Sequence, residues 1–144
     1  MKMEKGKINF VIIICICFLI ISCSKGTNIS SYINNTDNDF LDLQEFTNKK
    51  IDCVYIFGEY TDNNEISKIT GSKYYGDIIQ DSQYLLLLIS DKEVVYKELF
   101  NEKNFEFSRK DKSQYKSTIY RKYNSNKFKI DTKSNKFKVL TPIN

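Results

Sequence analysis

Hydrophobic positions along this chain form three kinds of run. From Phe10 to Ile21 they are unbroken, a stretch of Ile, Val, Phe, Cys and Leu behind Lys2, Lys5 and Lys7. A bilayer-spanning helix needs roughly 20 apolar residues, so a shorter run behind basic residues predicts a cleaved signal peptide. Between Asp39 and Lys50 the apolar positions Phe40, Leu43 and Phe46 recur at three-residue spacing, with acids at the start and lysines at the end. That spacing and charge order predict a short amphipathic helix aligned with its dipole. From Ile51 onward the period is two.

The period-two part predicts strands. Ile51 to Tyr60 is the first, closed by the turn Asp62-Asn63-Asn64. Glu65 to Thr70 and Ser72 to Tyr75 are shorter candidates, interrupted by Gly71 and Gly76. Tyr84 to Ile89 is apolar on both faces, which predicts a central strand. Ser90-Asp91-Lys92 then turns the chain into Glu93 to Phe100, and Phe105 to Phe107 and Tyr115 to Tyr123 follow. Turn signals every 8 to 12 residues argue for an antiparallel meander rather than βαβ units. The expected fold is mainly β: a single antiparallel domain, a small sandwich or open barrel, with one short N-terminal helix.

A short repeat closes the chain. Ser125-Asn126-Lys127-Phe128-Lys129-Ile130 returns as Ser134-Asn135-Lys136-Phe137-Lys138-Val139. Both copies alternate Lys with an apolar residue, as half-buried strands do. With Asp131 to Asn135 as the hairpin loop and Pro142 ending the last strand, Phe128, Ile130, Phe137 and Val139 are expected to face inward. Lys127, Lys129, Lys136 and Lys138 would then share one outer face, and converting all four to Glu should spare the fold.

The leader carries a more specific signal. It ends in Ile20-Ile21-Ser22-Cys23, an aliphatic residue, a tolerant position and a small residue before a cysteine. This resembles the lipobox of bacterial lipoprotein precursors. The resemblance, which covers residues 1–23 only, implies lipid transfer to Cys23, cleavage between Ser22 and Cys23, and acylation of the new amino terminus. Stable anchoring takes two or more acyl chains, which that modification supplies. Ser24 in place of Asp leans towards the outer membrane in a host that sorts lipoproteins by this position. The organisation expected is a signal peptide over 1–22, the lipidated cysteine with a flexible Ser- and Asn-rich tether over 23–38, and a β-rich domain over 39–144.

Composition narrows the chemistry. The 144 residues contain no His, which removes Ser-His, Cys-His and His-metal sites. On that resemblance Cys15 and Cys17 would leave with the leader and Cys23 would be acylated, leaving Cys53 alone and no intramolecular disulfide to form. With no base to activate it, and within the apolar run Ile51 to Phe57, Cys53 is expected to be a buried core thiol. Asp37 and Asp39 lack the Gly and bidentate Glu of a calcium loop. Asp77, Asp81 and Asp91 occupy expected turns. No cofactor, no metal and no enzymatic activity are expected.

Charge is split along the chain. Residues 101–144 hold twelve Lys or Arg against four Asp or Glu, while residues 23–100 hold seven against thirteen. A lysine-rich face protects sheet edges and keeps a protein soluble, and it can equally meet an acidic partner. Tyr115, Tyr120 and Tyr123, together with Tyr74 and Tyr75, exceed what so small a core can hide, and Tyr is favoured at interfaces. The candidate partner-binding set is therefore Lys127, Lys129, Lys136, Lys138, Tyr115, Tyr120 and Tyr123. The functional expectation is an envelope lipoprotein acting as a binding or inhibitory module of the immunity type, set against a toxin or wall-acting enzyme. The alternative is a structural or surface-exposed lipoprotein. Nucleic acid is not an expected partner of an exported chain.

Overall fold

The structure, a computed structural model, describes residues 28–108 and 120–143. The leader, Cys23 and Tyr115 lie outside the described residues. In chain order the elements are α1 (Ile29–Asn35), β1 (Phe40–Asp42), β2 (Cys53–Phe57), α2 (Asn63–Thr70), β3 (Tyr84–Ser90), β4 (Glu93–Phe100), β5 (Phe105–Phe107), β6 (Tyr120–Tyr123), β7 (Lys127–Thr132) and β8 (Lys138–Pro142). Two four-stranded sheets form, ordered β4-β3-β2-β6 and β1-β7-β8-β5. Every pairing is antiparallel except β5 with β8. The expectation of a mainly β sandwich is met.

The Leu run of β3 explains why the first sheet is the middle layer. Leu86 and Leu88 enter a cluster with Val54 and Ile56 of β2 and with Leu41, Phe105, Phe107, Phe128, Ile130 and Leu140 of the second sheet. This is the sandwich core. Leu85, Leu87 and Ile89 point the other way and pack with Tyr55 and Phe57 of β2 and with Ile66, Tyr74 and Ile79, the cover formed by α2 and the loop after it. A strand apolar on both faces must be covered on both, and residues 63–83 supply the second cover. The turn between β3 and β4 holds Asp91 and Lys92 at φ 49° and 63°, the paired positive values of a two-residue hairpin.

Several local expectations are corrected. The helix expected over 39–50 is instead β1 followed by a 3-10 turn over Leu43–Phe46. Leu41 pairs with Phe128 and is buried, Leu43 is buried, and Phe40 is left 60% exposed. Alternation at 41 and 43, rewarded by the free edge of β7, outweighs the three-residue spacing. Residues 28–38, expected to be part of a flexible tether, contain α1, whose Ile29 and Ile33 enter the sandwich core. The single N-terminal helix therefore lies earlier than expected.

Glu65 to Thr70 is helical rather than a strand. Asp62 accepts from Glu65 N–H at 2.8 Å as the N-cap, and Gly71 ends α2 in the left-handed region at φ 70°. The turn residues Asn63 and Asn64 are its first turn. Ser72 to Tyr75 has no regular structure, although Tyr74 is buried with its ring over Gly76, where any side chain would collide with it. Of the strand expected over Tyr115 to Tyr123, Tyr120–Tyr123 forms β6 and residues 115–119 lie outside the described residues.

Candidate functional site

The terminal repeat does not build a lysine face. Antiparallel pairing sets Ile130 against Leu140 and Thr132 against Lys138, so even-numbered residues of both strands share the face that carries Phe128, Ile130 and Leu140 into the core. The first copy obeys the expected alternation: Phe128 and Ile130 are buried, Lys127 and Lys129 exposed. The second copy sits on odd numbers for its apolar residues and is inverted. Val139 is buried as expected, though it shares its face with Asp131 and Glu106; Phe137 is half-buried before β8 begins, and Lys138 points inward. Lys136 is exposed in the 3-10 turn over Ser134–Lys136.

The two lysines that do reach the outer face are neutralised there. Lys127 Nζ lies 3.7 Å from Asp42 Oδ2 and Lys129 Nζ lies 2.7 Å from Asp131 Oδ1. Hydrogen bonding to Asp131 holds the Lys129 ammonium above its ordinary pKa. Of the candidate tyrosines, Tyr123 is buried between the sheets against Phe107 and Phe128, and its hydroxyl donates to Ser108 O at 2.9 Å. Tyr120 is half-buried against Tyr55 and Phe57. Among the described residues the expected basic and aromatic surface is not assembled, since Lys138 and Tyr123 are buried. Arg121 of β6 is also structural, pairing with Glu102 at 2.5 Å and donating to Phe107 O at 2.7 Å.

Lys138 has a different task. Its Nζ donates to the carbonyls of Ile33 at 2.7 Å, Asn34 at 3.5 Å and Thr36, the unsatisfied C-terminal end of α1. At the other end Asn28 makes no side-chain cap, and Glu98 of β4 takes that role. Glu98 accepts from Ile29 N–H at 2.8 Å, from Ser30 N–H at 3.2 Å, from Ser30 Oγ, and from Tyr96 Oη at 2.6 Å. An acid at the N-terminus and a base at the C-terminus both complement the helix dipole. One comes from each sheet, so α1 ties the sandwich together at buried charges. Burial, and then the bond to Glu98, push the Tyr96 hydroxyl far above its ordinary pKa.

A second region leaves side chains in water. The segment after β2 runs beside the loop before β3: Tyr60 N–H donates to Ile79 O at 3.0 Å, Asn63 Nδ2 to Gly76 O at 3.2 Å, and Ser82 N–H to Glu59 Oε2 at 3.0 Å. Tyr60, Tyr75 and Ile78 are 69%, 77% and 75% exposed at this end of the molecule. Glu59, Asp62, Asp77 and Asp81 are exposed around them. Among the described residues none of these four acids has a basic group within 4.0 Å. Tyr74, Asp77, Leu85, Lys97, Glu98 and Leu99 line a shallow depression of about 270 Å³ alongside.

Cys53 is half-buried on the α2 side of the first sheet rather than fully buried. Burial pushes its thiol up, outweighing the Lys122 charge that pulls it down, so the thiol stays protonated and is a poor nucleophile. Among the described residues no cluster of His, Cys, Asp or Glu could hold a metal ion, and no helix is long and apolar enough to cross a membrane.

Sequence reasoning missed Glu98, Tyr60 and Ile78, and each left a trace. Period two puts Glu98 between Tyr96 and Phe100 on one face of a strand, an acid where an apolar residue belongs. Ile78 and Ile79 are adjacent, and only one of two neighbours in an extended loop can face in; Ile79 does. Compared with known protein families, with characterised proteins and with solved structures, the chain matches none.

Proposed function

We propose that this chain is a bacterial envelope lipoprotein, anchored through Cys23, whose β domain is a non-catalytic binding or inhibitory module of the immunity type. The observation that carries the binding role is the exposure of Tyr60, Tyr75 and Ile78 together on one loop end of an otherwise well-buried sandwich. Isolated apolar side chains in water are ordinary, but a cluster rimmed by polar groups marks an interaction site. The anchor rests on the leader and on Ile20-Ile21-Ser22-Cys23. Ser24 supports an outer-membrane destination.

The position of α1 refines the anchored picture. Residues 24–28 alone separate Cys23 from Ile29, a reach of about 20 Å even when fully extended. A lipidated chain would therefore hold its domain close to the bilayer, where it can guard the membrane surface against an incoming protein. Metabolic labelling with a fatty acid tests the anchor: wild type takes up label and Cys23→Ala does not. Crosslinking of the full chain in its own envelope tests the module. A stoichiometric protein adduct supports it, and the absence of any adduct under conditions that trap known envelope complexes would sink it.

A further inference from the structure

We infer that the loop end formed by Glu59 to Asp62 and Tyr75 to Asp81 docks a lysine- or arginine-bearing polypeptide segment that seats an apolar side chain on Tyr60 and Ile78. The inference rests on the binding-module reading and assigns that module a surface and a partner charge. The charge is opposite to the one the basic tail of the sequence suggests.

Tyr60 and Ile78 are not spent on the core. Ile79 fills the core on behalf of its loop at 0% exposure, which leaves Ile78 turned outward. Tyr60 adopts φ 63°, a left-handed conformation that is rare for a bulky residue and that Gly or Asn would accept more cheaply. An aromatic side chain held in a disfavoured backbone state, yet 69% exposed, is unexplained by packing. The hydrogen bonds from Tyr60 N–H to Ile79 O and from Asn63 Nδ2 to Gly76 O hold the two segments at fixed spacing. The platform is therefore built before any partner arrives, and tyrosine gives large contact area at low entropic cost.

Charge selects the occupant. Residues 59–81 carry five acids and two lysines. Glu59 and Asp62 spend one oxygen each on backbone N–H groups, and Asp77 and Asp81 make no ion pair among the described residues. The lysine of β4, Lys97, is turned onto Tyr75 O at 3.2 Å and over the Tyr74 ring. An apolar centre with an acidic rim repels anionic lipid and nucleic acid and complements a cationic protein segment.

The test uses the detergent-solubilised full chain and fluorescent peptides that share Leu and Phe content but carry Lys, Ser or Glu at the remaining positions. The Lys peptide is expected to bind, and the Glu peptide is not. Tyr60→Ser with Ile78→Ser should weaken the Lys peptide about tenfold, a loss of about 1.4 kcal/mol. Asp77→Asn with Asp81→Asn should weaken it and flatten its salt dependence, while Lys127→Gln with Lys129→Gln should leave it unchanged. Equal binding of Lys and Glu peptides, or full binding by both loop-end variants, overturns the inference. Absence of binding by every peptide also overturns it. An envelope adduct that persists undiminished in Tyr60→Ser with Ile78→Ser would place the partner elsewhere while leaving the binding-module reading intact.

Discussion

Lys129 and Lys138 occupy the same place in two copies of one six-residue motif, yet they have opposite fates. Lys129 stands on the outer face of the second sheet and pairs with Asp131 across water-accessible surface. Lys138 is 9% exposed and closes the carbonyl end of α1. The difference is one of register: the hairpin joins even positions to even positions, and the copies lie nine residues apart, an odd offset. A repeat in sequence is a repeat in structure only when the pairing preserves its phase. The same point extends to the two surfaces of the molecule. The lysine-bearing face is internally neutralised, while the loop end keeps its acids without ion pairs among the described residues and leaves Tyr60, Tyr75 and Ile78 in water.

The sharpest way to break this comparison is to remove each lysine in turn. Lys138→Ala leaves three carbonyls at a buried helix end without their donor and should cost about 2–4 kcal/mol. Lys129→Ala removes an exposed pair and should cost no more than about 0.5 kcal/mol. Chemical denaturation decides it, and equal losses for the two would show that register has not separated them. For the same reason, replacing Lys127, Lys129, Lys136 and Lys138 together with Glu should unfold the domain through position 138, contrary to what a shared outer face predicts.

The other end of α1 sharpens the comparison. Glu98→Gln places an amide donor against backbone N–H groups and should cost about 1–3 kcal/mol. Because both charges act on one helix, Glu98→Gln and Lys138→Ala should be less than additive; strict additivity in the double variant would mean that α1 does not couple the sheets.

A smaller effect lies in alkaline pH. Tyr96, Tyr55 and Tyr74 all have hydroxyl pKa values raised by burial above the ordinary 10.0. The folded state then binds more protons than the unfolded one, so this stability is fully present below about pH 10 and is lost as pH rises beyond it. Melting temperatures should be level from neutral pH to about 9 and fall above 10, less steeply in Tyr96→Phe. A fall that begins below pH 8 would contradict the assignment. The smallest effect concerns Cys53: melts with and without reductant, or with and without chelator, should coincide, and a shift of several degrees under either condition would reveal a crosslink or a metal.

Much of the sandwich is legible before any coordinates. The Leu run of β3, the turn at Asp91 and Lys92, and the alternation at Phe128 and Ile130 each follow from one local rule. The helix assignments failed where two local rules competed. Phe40, Leu43 and Phe46 suit a helix, but Leu41 and Leu43 suit a strand edge beside β7, and burial against Phe128 decides between them. Ile66 and Ile69 read as part of a strand until Asp62 and Gly71 are recognised as its helix caps. The proposed docking surface was illegible because exposure is a residual: Ile78 is outside only because Ile79 is inside.

What the amino-acid sequence determined by itself was the lack of imidazole chemistry, the place of Cys53 in an apolar run and the β-rich class, all of which depend on composition or on short-range periodicity. What only the tertiary structure decided was the use of each charge. Whether a lysine pairs with an aspartate in water or clasps a helix end in the core depends on strand register. So does the choice of Glu98 as that helix's other clasp. Register is set by the summed burial of whole faces, many residues apart in sequence, and no single motif contains it.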